Sequence, residues 1–257
     1  MDFFQAIPDS ILVVTIFWLG LSLGSFANVC IYRLPRKKSV VSPRSHCPSC
    51  TSSIRSFDNI PIMSYIILGG KCRECSSRIS LIYPGIEFVT GALLIFGFFK
   101  FGISFDFLIY ALVTPTLVII TAIDIKHQII PDVITIPGII LGLAVGTYTI
   151  GFFDSILGLF TGGGLFYLLA VISNGGMGGG DIKYIAAAGA LLGWQKVLLI
   201  IFIGAFSGSI VGLFQIGIQK KSRKTLIPFG PFLSVGTLIT LFYGNALIRL
   251  YLDYIVG

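Results

Sequence analysis

From Ser10 to Tyr32 the chain runs for 23 residues without a charged side chain. A helix rises about 1.5 Å per residue and a bilayer core is about 30 Å thick, so about 20 apolar residues make one crossing. The run is too long for a signal-peptide core, and the N-terminal MDFFQAIPDS holds no basic residue. It therefore reads as a retained anchor. Further apolar runs cover Ile82–Phe99, Phe105–Ile123, Val133–Gly151, Ser155–Ile172, Ile182–Gly193, Val197–Ile218 and Gly230–Ile248. Ile182–Gly193 is too short for a full crossing and reads as a tilted or broken helix, which is tolerated where backbone lines a cavity. Composition agrees: 11% of residues are charged and the mean hydropathy is +0.94, whereas a soluble domain carries about 25% charge. Soluble, disordered and disulfide-scaffold classes are excluded.

Basic residues set the expected orientation. With the N-terminus outside, inward segments hold Arg33, Arg36, Lys37, Lys38, Arg44, Arg55, Lys71, Arg73, Arg78, Lys126, Lys183, Lys220, Lys221, Arg223 and Lys224. Only Lys100, Lys196 and Arg249 fall outside, which fits an even span count with both termini outside. The net charge of +7 is thus mainly a topology signal. Nucleic acid is not an expected partner, because the basic residues hug membrane ends without interleaved aromatics.

The one sizeable polar segment, Arg33–Leu81, contains four of the five cysteines. Cys47-Pro-Ser-Cys50 and Cys72-Arg-Glu-Cys75 give two C-x2-C knuckles separated by 21 residues, the pattern of a structural Zn²⁺ site. Two disulfides are the alternative, disfavoured in a loop facing the reducing cytoplasm. A catalytic zinc has no support: the histidines are His46 and His127, and no H-E-x-x-H occurs. The expected fold is an all-α polytopic membrane protein of about eight transmembrane helices, one short, with a small cytoplasmic zinc-ribbon-like insertion. Its expected domains are an anchor helix (1–32), a zinc-binding loop (33–81) and a multi-helix membrane core (82–257).

Charge is scarce enough to audit every acid. Asp2, Asp9, Asp106, Asp154 and Asp253 lie at outer ends, and Asp58 and Glu74 lie in the polar loop. Glu87, Asp124, Asp132 and Asp181 remain. Asp124 and Asp181 are each followed by Ile-Lys, and both fall where the chain meets the cytoplasmic leaflet. Carboxylates at that depth are costly, hence functional candidates. Two brought together cannot both ionise easily, which yields a general acid and a general base in one site. Such a pair activates water and protonates a leaving amine, which is aspartic-type peptide hydrolysis. The glycines Gly175, Gly176, Gly178, Gly179 and Gly180 would let a substrate backbone approach Asp181.

Rival readings are an N-cap role for Asp181, a solvated helix end for Asp124, and Asp132 in place of Asp124. Helix dipoles bias Asp181, at a helix start, towards the ionised base and Asp124, at a helix end, towards the protonated acid. Lys126 and Lys183 could hold leaflet phosphates or assist catalysis. Glu87 could pair with a basic group. A serine nucleophile fails, because Gly204-Ala-Phe-Ser207-Gly misses G-x-S-x-G by one position.

Most of the chain resembles the type IV prepilin peptidases, GxGD-type aspartic membrane proteases. The resemblance rests on GSFANVCIYRLP (Gly24–Pro35), CPSC, and NIPIMSYIILGGKCREC (Asn59–Cys75). It continues through Tyr83-Pro-x-x-Glu87, Asp124…Ile130-Pro131-Asp132 and GMGGGDIK (Gly176–Lys183). It implies Asp124 and Asp181 as the catalytic pair, with Gly178, Gly179, Gly180, Lys183 and Glu87 as supporting residues. It implies a bacterial inner-membrane endopeptidase whose partners are prepilin or pseudopilin precursors and membrane lipids. Cutting is expected on the cytoplasmic side after a glycine. It further implies N-methylation of the new N-terminus with S-adenosylmethionine, associated with the cysteine loop, whose Cys47, Cys50, Cys72 and Cys75 would hold structural zinc; Glu87 could touch the methyl donor. The alternative is a non-catalytic assembly or transport protein using the boundary aspartates as a proton or ion relay.

Overall fold

The computed structural model describes residues 8–174, 176–217 and 227–256. Asp2, Gly175, Ile218, Lys220, Lys221, Arg223 and Lys224, to which the sequence reading assigned roles, lie outside them. The helices are α1 (Asp9–Arg33), α2 (Met63–Ile67), α3 (Ile82–Phe101), α4 (Phe105–His127), α5 (Asp132–Thr149), α6 (Phe152–Ile172), α7 (Gly179–Leu192), α8 (Trp194–Gly217) and α9 (Gly230–Val256). Seven of them, all but α2 and α7, are long and apolar enough to cross a membrane. This is a multi-pass membrane protein. Large apolar side chains such as Phe96, Phe99, Phe153 and Leu213 stay exposed on the helices, as expected where the solvent is lipid and the backbone is satisfied within each helix. With 14 residues, α7 spans only about 21 Å, which accounts for its short apolar run.

The chain divides into two compact units, Met1–Ile119 and Ile120–Gly257, with the division inside α4. In the first, α1 packs along α3. A Cβ on Gly20 would come within 2.6 Å of Gly91 Cα, and one on Gly24 within 2.6 Å of Glu87 Cα. These two glycines, one turn apart, let the backbones touch, the usual way helices associate where lipid removes the hydrophobic drive. The first half of α4 docks through Tyr110, whose ring covers Gly97 and whose hydroxyl donates to the Leu93 carbonyl (2.8 Å).

In the second unit α7 is packed by α5, α6 and α8, and α8 pairs with α9. The Ala-Ala-Ala-Gly-Ala stretch of α7 gives it a thin profile, and its neighbours meet it with glycine. A Cβ on Gly142 would lie 2.8 Å from the Ala187 oxygen, and one on Gly162 2.7 Å from the Ile185 oxygen. A Cβ on Gly158 would overlap the Gly189 oxygen outright. Polar ties add direction: Ser155 Oγ donates to the Ala190 carbonyl (2.6 Å), and the Tyr184 hydroxyl bonds Thr237 Oγ1 (2.7 Å).

Candidate functional site

Asp124 sits in the last turn of α4, only 5% exposed. Its Oδ2 accepts the backbone N–H of Gly230, the first residue of α9, at 2.8 Å. A Cβ on residue 230 would lie 2.8 Å from the same oxygen, so the contact needs glycine. Gly230 is not among the candidate site residues expected from the sequence. The available signal was Gly230-Pro231 at the head of an apolar run, since proline in a first helical turn marks a fixed helix start.

Beyond Asp124 the chain turns sharply. The Gln128 N–H donates to the Asp124 carbonyl (2.9 Å), Ile130 is buried, and extended Pro131 caps α5. The start of α7 packs on this turn: a Cβ on Gly180 would lie 2.8 Å from Ile130 Cβ. Lys183 of α7 donates to Asp132 of α5 at 2.7 Å. These contacts bring Asp181, in the first turn of α7, close enough to Asp124 for the two charges to interact. Asp181 Oδ1 is buried, and among the described residues nothing donates to it.

The glycines before Asp181 have separate roles. Gly178 leaves room for Asp181 Oδ2, which would lie 2.9 Å from a Cβ there; Gly180 packs on Ile130; Gly179 faces open space. Of these three, Gly179 alone offers the free approach expected of the glycines before Asp181. Asp132 is more than half exposed in its pair with Lys183, and Lys126 is exposed.

Glu87 and the cysteines belong to the first unit. Glu87 is buried, and its Oε2 accepts the Ile62 N–H at 2.7 Å. The four cysteines form two copies of one hairpin. In each, the first cysteine carbonyl accepts an N–H from a left-handed residue (Thr51 or Ser76), and the cysteine N–H donates to the serine that follows (Ser52 or Ser77). Ser45–Ile54 and Gly70–Ile79 are joined by matching backbone hydrogen bonds. All four Sγ atoms lie within 4.8 Å of one another, and Cys47 and Cys75 are 3.8 Å apart. A tetrahedral ion with metal–sulfur bonds of about 2.3 Å requires sulfurs about 3.8 Å apart, so Cys47, Cys50, Cys72 and Cys75 fit a metal ion. None forms a disulfide. Asp58 of the polar loop takes a two-pronged bond from Arg73 (2.6–3.2 Å), which holds its carboxyl below the usual range. Glu74 pairs with Arg55 at 3.3 Å.

The helical bundle, the aspartates at helix ends and the cysteine insertion define a polytopic membrane protein with an acidic site. Residues 18–101 match the bacterial peptidase A24 N-terminal domain, and residues 111–213 match the type IV leader peptidase family. The chain is 34% identical to a prepilin leader peptidase/N-methyltransferase of Legionella pneumophila, covering 95% of this chain and 94% of the relative. Relatives of the same name from Pseudomonas aeruginosa and Bacillus subtilis are each 32% identical, covering 99% and 94% of this chain and 98% of each relative. No solved structure matches. The chain belongs to the type IV leader peptidase family.

Proposed function

We propose that this chain is an aspartic endopeptidase of the bacterial inner membrane. It removes the leader of type IV prepilins or pseudopilins at the cytoplasmic face, after a glycine, and N-methylates the new N-terminus. The observation that carries the reading is that the turn after Asp124 packs, through Ile130 and Gly180, against the start of α7 that carries Asp181. One carboxylate takes a proton from water as it adds to the scissile carbonyl, and the other gives a proton to the leaving amine. Hydrogen bonding favours a division of labour opposite to that expected from the helix dipoles. Asp124 accepts the Gly230 N–H, which stabilises a carboxylate, so Asp124 is the base. Asp181 Oδ1 is buried without a donor, a poor place for charge, so Asp181 carries the proton. A local N–H outweighs a diffuse dipole because it acts at contact distance.

Cys47, Cys50, Cys72 and Cys75 would hold a structural Zn²⁺ with no open position, fixing the loop rather than cutting peptide. S-adenosylmethionine, when bound, supplies the methyl group. A proton or ion relay built on the same aspartates is not favoured, since the relatives are named as peptidases. The test is mass spectrometry of a co-expressed prepilin: loss of the leader together with a methyl increment of about 14 Da supports the reading, and an intact precursor rejects it.

A further inference from the structure

Asp181 Oδ1 has no donor among the described residues, so the place of this carboxyl depends on the placing of α7 itself. The contacts of α7 with α5 and α6 join small residues, such as Ala187 to Gly142 and Gly189 to Gly158. Contacts of this kind set how close two helices lie. How far α7 is turned or slid along its axis is set better by hydrogen bonds, which are directional. Tyr184 stands one turn after Asp181 in α7, as its neighbour on one helix face. The Tyr184 hydroxyl meets Thr237 Oγ1 of α9 at 2.7 Å, and both residues are buried. Thr237 Oγ1 donates its own proton to the Leu233 carbonyl at 2.9 Å. A hydroxyl has one proton to give, so Tyr184 is the donor in its bond to Thr237.

Thr237 lies on the same stripe of α9 as Gly230. Gly230, Leu233, Ser234 and Thr237 follow the spacing of one helix face, and all four are buried. Two helical turns, about 10 Å, separate the ends of this stripe. At one end the Gly230 N–H holds Asp124, and at the other Thr237 holds the helix that carries Asp181. One helix thus serves as the common reference for both carboxylates. Resting on the peptidase part of the proposed function, we infer that Tyr184 is a positioning residue, whose bond to Thr237 sets the register of Asp181 against Asp124. Tyr184 acts through α7 and α9, not on the reacting atoms. Losing the bond lets α7 shift while its close packing keeps the fold.

The test measures prepilin cleavage by the purified full chain in detergent, separating kcat from KM, alongside thermal unfolding. Tyr184→Phe and Thr237→Val each remove the bond at nearly constant shape. Each should lower kcat by about tenfold while KM stays within about twofold. Thr237→Ser keeps the hydroxyl and should cut within about threefold of wild type. The double variant Tyr184→Phe/Thr237→Val should be about as fast as either single variant, because both remove one bond. Ser155→Ala is the comparison, since it removes the bond from α6 to the Ala190 carbonyl at the far end of α7 (2.6 Å). It should shift the unfolding temperature by a similar amount, about 4 °C or less, and leave kcat within about threefold. Wild-type kcat in both Tyr184→Phe and Thr237→Val would overturn the inference. So would an equal loss in Ser155→Ala, losses that multiply in the double variant, or rates that fall in step with stability across the set. A wild-type chain that leaves the precursor intact counts separately, against the proposed function, and removes this inference with it.

Discussion

Gly230 donates its backbone N–H to Asp124 Oδ2 across 2.8 Å, joining the start of α9 to the end of α4 over 106 residues of sequence. The bond fixes one carboxylate of the pair, and it tolerates no side chain at residue 230. Gly230→Ala should push Asp124 out of place and lower the cleavage rate by about a hundredfold, the scale of a 1 Å misplacement. Thermal unfolding in detergent should change little. Equal loss of activity and stability would make Gly230 a packing residue only.

The glycines around α7 give a stability prediction. Gly158→Ala places a methyl group on the Gly189 carbonyl, whereas Gly164→Ala in the same helix meets nothing within 4 Å. Overpacking should make the first variant less stable by about 1–3 kcal/mol. The second should be neutral or slightly stabilised, since alanine is the better helix former. Denaturation of the two in the same detergent checks this, and equal stabilities would refute the close-packing account.

Metal binding should depend on pH. The Cys47 thiol is pushed down to about 6, chiefly by the backbone N–H of Cys50 and also by that of Ser49. This favours the thiolate, the form that binds metal, and falling pH sets protons against the metal for the same sulfurs. One Zn²⁺ per chain should be found at neutral pH and released on strong acidification or by a chelator. Cys47→Ser should lose the ion and impair methylation or stability more than cleavage. Metal analysis by mass spectrometry across a pH series decides this.

The Lys183–Asp132 pair is 40% and 57% exposed at its two ends. Exposed pairs contribute about 0–1 kcal/mol, so a double-mutant cycle with Lys183→Met and Asp132→Asn should give a coupling within that range. A larger coupling would indicate that Lys183 acts on the site as more than a surface tie.

Much of this was legible in the chain itself. The apolar runs mark the helices because lipid demands long, uncharged segments, and the C-x2-C spacing marks the cysteine cluster because two hairpins must converge. Asp124 and Asp181 stood out because charge near a membrane is costly. Gly230 did not stand out, because a backbone donor leaves no trace in side-chain chemistry. The distinct roles of Gly178, Gly179 and Gly180 were hidden for a related reason: what a glycine makes room for lies elsewhere in the sequence. Helix dipoles alone leave out the Gly230 N–H at Asp124, because that donor comes from a helix far along the chain.

The pairing of Asp124 with Asp181 is the central claim, and cleavage of a prepilin by the purified full chain tests it most directly. Asp124→Asn and Asp181→Asn should each lower cutting by about a thousandfold or more with the fold intact, while Asp132→Asn should cut within about threefold of wild type. Cleavage surviving in either of the first two variants, or lost equally in the third, would contradict the account.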